Sequence, residues 1–156
     1  MTKWRTNFNV LKGIHLTSMP AKDIFHNTVK NALQKEGWII THDPLFIRFG
    51  KVELYVDLGA EKLITAQKNG KQIAVEIKSF LADSNITEFH SALGQFMNYR
   101  MALKDLQPER ILYLAIPSEI YDDFFTRTEG QKAIEYHQLK LIVYDIKKEV
   151  IVKWLN

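Results

Sequence analysis

"AVEIKSF", residues 74–80, has the composition of a buried strand yet carries two charges two residues apart. In a strand, residues i and i+2 share a face. Ile73, Val75 and Ile77 therefore point one way, and Ala74, Glu76 and Lys78 the other. The first face is core. The second sets an acid beside a base, which suits either a solvated face or an active site.

Working outward, Asn69-Gly70 is the strongest hairpin signal in the chain and joins roughly 60–68 to 71–79. Upstream, "KVELYVDLG" alternates, with Val52, Leu54, Val56 and Leu58 on one face and Glu53, Tyr55 and Asp57 on the other. Further back, the stretch opened by Met19 has Ile24, Phe25, Thr28, Val29, Ala32 and Leu33 at helical spacing. Gly37 stops that helix, and "WIITH" follows as a first strand broken by Asp43-Pro44. Downstream, "NITEFHSALGQFMNYRMAL" reads as a helix, with Asn85 and Glu88 spaced as a capping box. "RILYLAIP" is a buried strand ended by Pro117. Ser118 is placed to cap a helix carrying Tyr121, Phe124 and Phe125, and a second helical piece spans 130–137. "LKLIVYDI" and "VIVKWL" are two last strands around Lys148-Glu149. The pattern predicts an α/β domain, a central mixed sheet flanked by helices.

The length of 156 residues and 46% hydrophobic content suit one domain with a sizeable core. Residues 1–18 show no sustained period and are expected to be a flexible extension, leaving 19–156 as the domain. The chain has no cysteine, which excludes disulfides, a thiol nucleophile and thiolate metal sites, and fits a reducing, cytoplasmic setting. No apolar run approaches the length of a membrane span. The formal charge is +3, but residues 1–18 hold Lys3, Arg5 and Lys12 and no acid. Removing those three from 21 leaves 18 basic against 18 acidic groups, so a basic footprint must come from arrangement.

The candidate chemistry is Asp57 followed by Glu76-Ile77-Lys78 near the hairpin. Converging carboxylates can hold one magnesium or manganese ion, with water completing the shell. Such a metal polarises a phosphoryl oxygen and lowers the pKa of bound water. A neighbouring lysine can orient that water or stabilise charge growing on phosphorus. Glu61 rivals Asp57 as the first carboxylate. An ideal hairpin puts residue 61 opposite 78, whereas Asp57 needs a bend or bulge near Gly59.

Asp57 with Glu76-x-Lys78 on a hairpin resembles the core of the PD-(D/E)xK nuclease superfamily, which implies a restriction-endonuclease-like core. Gln95 and Tyr99 in "QFMNY" share a helix face. They match the Q-x-x-x-Y element of the RecB-like and Holliday-junction-resolvase-like branches. The superfamily often has an acid in its first helix. Here Glu36 is too close to Gly37 for that role, and the corresponding position is His26, which the resemblance implies touches phosphate or water or replaces the acid. From Met19 onward the chain resembles the XisH family of cyanobacterial proteins, the fdxN element excision controlling factors. "MPAKDIFHNTVKNAL", "YVDLGAEKL", "AVEIKSF", "ALGQFMNYR" and "LYLAIP" carry that resemblance. It implies an accessory role in programmed DNA rearrangement in heterocysts and an XisI-type protein as partner.

The expectation is a metal-dependent DNA endonuclease, with Asp57 and Glu76 as ligands, Lys78 for water and charge, and Gln95, Tyr99 and His26 near the substrate. Cutting two strands or a junction calls for two centres, hence a homodimer. Two alternatives stand beside it: a non-catalytic DNA- or protein-binding factor on the same fold, and an RNA nuclease or toxin restrained by a partner.

Overall fold

Ala21–Lys35 forms α1, as the spacing from Ile24 to Leu33 predicts. Gly37 adopts φ +89° just past its end. The Gly37 N–H returns to the Gln34 carbonyl at 3.0 Å, and the Trp38 N–H to the Leu33 carbonyl at 3.1 Å. That pair of bonds is a Schellman ending, which needs a left-handed residue where glycine stands. The computed structural model describes residues 21–50, 52–53, 63–80 and 85–156.

β1 (Ile39–His42) follows, then β2 (Arg48–Phe49) and β3 (Val52–Glu53), which pair with each other in a separate two-stranded sheet. Only Val52-Glu53 of the expected "KVELYVDLG" strand falls among the described residues. β4 (Leu63–Lys68) and β5 (Lys71–Ile77) form the predicted hairpin. Asn69 and Gly70 both have positive φ, 49° and 80°, as a two-residue type I′ turn requires. The register sets Leu63 opposite Glu76.

The rest is α2 (Asn85–Leu106), β6 (Arg110–Pro117), α3 (Ser118–Ile120), one π turn at Tyr121–Phe125, α4 (Thr128–His137), β7 (Leu141–Asp145) and β8 (Val150–Leu155). The side chain of Asn85, and with it the expected capping box, lies outside the described residues. Ser118 is not a cap. Pro117 holds that position and still pairs with Tyr144 as the last residue of β6, so strand passes into helix with no linker. The expected helix over Tyr121, Phe124 and Phe125 winds as the π turn.

The main sheet has the order β1-β4-β5-β6-β7-β8. β5, β6 and β7 are parallel neighbours, and the other pairs are antiparallel. The sheet is therefore mixed, as expected. The connections β5–α2–β6 and β6–α4–β7 step the same way across it. Crossovers of the usual right hand then lie on one face. The core divides accordingly. Ala74, Leu112, Leu114 and Val143 pack with Phe89, Phe96 and Tyr99 of α2 and with Ile120 and Phe125. Ile73, Val75, Ile77, Tyr113 and Ile142 pack with Phe25, Val29 and Leu33 of α1.

α1 is also tied to β8 and the turn before it. Asn31 donates to Glu149 at 3.0 Å, Lys35 to the Lys148 carbonyl at 3.0 Å, and the Trp154 indole to Glu36 at 3.1 Å. The Trp38 and Trp154 rings lie 5.8 Å apart.

Candidate active site

β5 is a central strand, paired with β4 on one side and β6 on the other. Its alternation therefore separates two buried faces. Glu76 is 1% exposed and Lys78 5% exposed. A solvated face does not account for this acid and base. The Lys78 N–H donates to the Ala115 carbonyl at 3.1 Å, which extends the β5–β6 ladder past the end of β5. Strand parity then puts Ala74, Glu76 and Lys78 on one face, and Ala74 belongs to the core under α2. Removing a carboxylate and an ammonium from water is costly, so both groups sit here against a solvation penalty.

α2 presents Phe89, Ala92, Phe96, Tyr99, Ala102 and Leu103 to that same face. Tyr99 is buried in the cluster, and Gln95, one turn earlier, is half-buried at its flank. The fold thus brings Glu76, Lys78 and Tyr99 to one side of the sheet, and Gln95 stands one turn before Tyr99 on the same helix.

His26 stands on α1, which packs on the other face. Its Nε2 lies 2.7 Å from Oδ1 of Asp43, and Lys30 Nζ donates to Oδ2 at 2.6 Å. Burial acts to raise the Asp43 pKa, but the Lys30 hydrogen bond and the charges of His26 and Lys30 outweigh it, and the net shift is downward. Asp43 directly follows β1, which runs in the same direction as β5. His42 pairs with Thr65, and the Leu45 N–H donates to the Leu63 carbonyl at 2.7 Å. Asp43 therefore lies at the same sheet end as Glu76. In the sequence Asp43-Pro44 reads as a strand breaker. The available signal was an acid at the carboxyl end of a strand, the end where open α/β sheets bind ligands.

Asp57 and Glu61 lie outside the described residues. Among the described residues, no group of three or more His, Cys, Asp or Glu is arranged to hold a metal ion. Glu76 carries a carboxylate, a hard oxygen donor of the kind that suits magnesium or manganese.

A family model described as XisH protein matches residues 19–152. The chain is similar to the crystal structure of an XisH family protein from Nostoc punctiforme PCC 73102, with 51% identity and a TM-score of 0.79 over 85% of this chain and 99% of that one. It is likewise similar to a fdxN element excision controlling factor protein from Anabaena variabilis, with 50% identity and a TM-score of 0.79 over 86% and 99%. No curated protein matches it. No helix among the described residues is long and apolar enough to cross a membrane.

Proposed function

Because the chain belongs to the XisH family, we propose that it is a divalent-metal-dependent DNA endonuclease-like protein and an accessory, controlling factor in excision of the fdxN element. On this reading the mixed sheet is a PD-(D/E)xK, restriction-endonuclease-like core. The observation that carries it is the burial of Glu76 and Lys78 on one face, at the carboxyl end of β5, beneath the helix that bears Gln95 and Tyr99. Ionisable groups kept out of water at such a position point to chemistry rather than stability.

Asp57 and Glu76 would hold magnesium or manganese. When bound, that ion supplies Lewis acidity toward a phosphoryl oxygen and eases deprotonation of water. Lys78 neutralises charge that grows on the phosphate oxygens. Gln95 and Tyr99 orient the strand being cut, and His26, held by Asp43, contacts a phosphate at the same sheet end. Two centres in a homodimer would serve two strands. A small XisI-type protein is the partner that family membership implies, and the cytoplasm is where the DNA substrate is met.

The test is cleavage of labelled linear, branched and single-stranded DNA, with RNA alongside, in magnesium or manganese, with and without the XisI-type protein. Metal-dependent DNA cleavage that vanishes in Glu76→Gln supports the reading. Cleavage of RNA alone would favour the partner-restrained RNA nuclease. Absence of both cleavage and metal binding would leave the non-catalytic accessory factor.

A further inference from the structure

A groove of about 830 Å³ runs between the second half of α2 and the end of α4. Its apolar lining is Met97 and Met101 from α2, and Ile134 and Leu139 opposite. Met97 is 39% and Met101 50% exposed, although they stand one turn apart on a helix whose other side is core. Methionine is the side chain that adapts to a partner's shape, and paired methionines along a groove are a recurring receptor for helices.

The charges are unequal. Among the side chains that line the groove, Arg100, Lys104 and Lys140 are basic and Glu135 is acidic. Arg100 is fixed in place. It donates to the carbonyls of His137 at 2.8 Å and Gln138 at 3.2 Å, where α4 ends with Gln138 in a left-handed conformation. Its guanidinium stands 5.3 Å over the Phe96 ring, and Nη2 lies 2.9 Å from the Met97 sulfur. The groove wall is thus preorganised by one cation that offsets the negative end of α4. Lys104 is exposed and Lys140 half-buried, which leaves the rim positive.

We propose that this groove docks an amphipathic helix of a partner protein, one with leucine-type side chains on its inner face and acidic residues flanking them. The apolar face would settle on Met97, Met101, Ile134 and Leu139. The acidic flank would meet Lys104 and Lys140. None of these residues belongs to the candidate active site, although α2 carries both sets.

The test uses a fluorescein-labelled peptide with leucines at i, i+3, i+4 and i+7 and glutamates at the flanking positions. A counterpart carries lysines in place of the glutamates. Fluorescence anisotropy should show the glutamate peptide binding more tightly and losing affinity as salt rises. Met101→Asp should weaken it at least about fivefold, the scale of an interface residue that matters. Lys104→Glu should weaken the glutamate peptide and tighten the lysine peptide, with unchanged circular dichroism. The exchange of preference cannot come from misfolding. Equal binding of the two peptides, or binding of neither, overturns the proposal. So does sedimentation showing a dimer that Met101→Asp dissociates, since the occupant is then a second copy of this chain.

Discussion

Asp43 and His26 meet across seventeen residues of sequence, Oδ1 to Nε2 at 2.7 Å, and Lys30 closes on the other carboxylate oxygen. The arrangement holds the Asp43 pKa below its ordinary 3.8. A carboxylate with a depressed folded pKa contributes stability above its unfolded value and loses it as pH falls through the folded one. Asp43→Asn should therefore lower stability near neutral pH, by up to about 1 kcal/mol for a partly exposed pair. That difference should close well below pH 3.8. Urea midpoints of both proteins across this range measure it. A gap that persists or widens in acid would contradict this account of the pair.

The buried acid and base on β5 allow a test that separates function from stability. Replacing both, Glu76→Gln with Lys78→Met, removes two desolvation costs while keeping volume. The double variant should melt no lower than the wild type and should cut no DNA. Glu76→Gln alone and Lys78→Ala alone should each abolish or greatly slow cleavage. A double variant melting far below the wild type would make the pair structural.

Gln95 and Tyr99 should differ in kind. Gln95 is half-buried at the edge of the cluster, so Gln95→Ala should slow cleavage and leave the thermal midpoint nearly unchanged. Tyr99 is packed in the core, so Tyr99→Ala should cost about 3–5 kcal/mol, the usual range for deleting a buried aromatic. Denaturant titration of both, beside their cleavage rates, distinguishes the two roles.

Two glycines in helices predict opposite signs. A Cβ on Gly130 would stand 2.5 Å from the Phe124 carbonyl oxygen and 2.6 Å from the Phe125 Cα, both backbone atoms. Gly130→Ala should destabilise by about 1–3 kcal/mol, as overpacking does. A Cβ on Gly94 meets nothing within 4 Å. Gly94→Ala should stabilise by roughly 0.5–1 kcal/mol through helix propensity. Equal shifts in the two denaturant midpoints would refute the contact argument at Gly130.

Much of this fold was legible because its signals are local. Asn69-Gly70 admits few conformations, so the hairpin and the pairing of Leu63 with Glu76 follow from it. Gly37 marked the end of α1, and the unbroken apolar run of "RILYLAIP" marked a strand buried on both faces. The π turn was not legible, since the spacing of Tyr121, Phe124 and Phe125 suits an α-helix equally well. The burial of Glu76 was also hidden. Alternation tells which side a residue faces, but whether that side is wet depends on α2, which lies over it by virtue of crossover handedness. The pairing of Asp43 is not visible in the sequence because its partners His26 and Lys30 belong to another element. Asp57, Glu61 and residues 1–18 lie outside the described residues, and for them the sequence remains the guide.

The clasp between α1 and β8 sets a schedule for the chain as it is made. Asn31 and its partner Glu149 are 118 residues apart. At ribosomal rates of about 5–20 residues per second, roughly 6–24 s pass between their syntheses. For that interval the Phe25, Val29 and Leu33 stripe of α1 has no complete sheet to cover, because Ile142 and Tyr144, its neighbours in the same core, are made long after it. The nascent chain therefore presents an uncovered apolar stripe before it has a fold. Chaperones that bind such apolar stretches should meet this protein early.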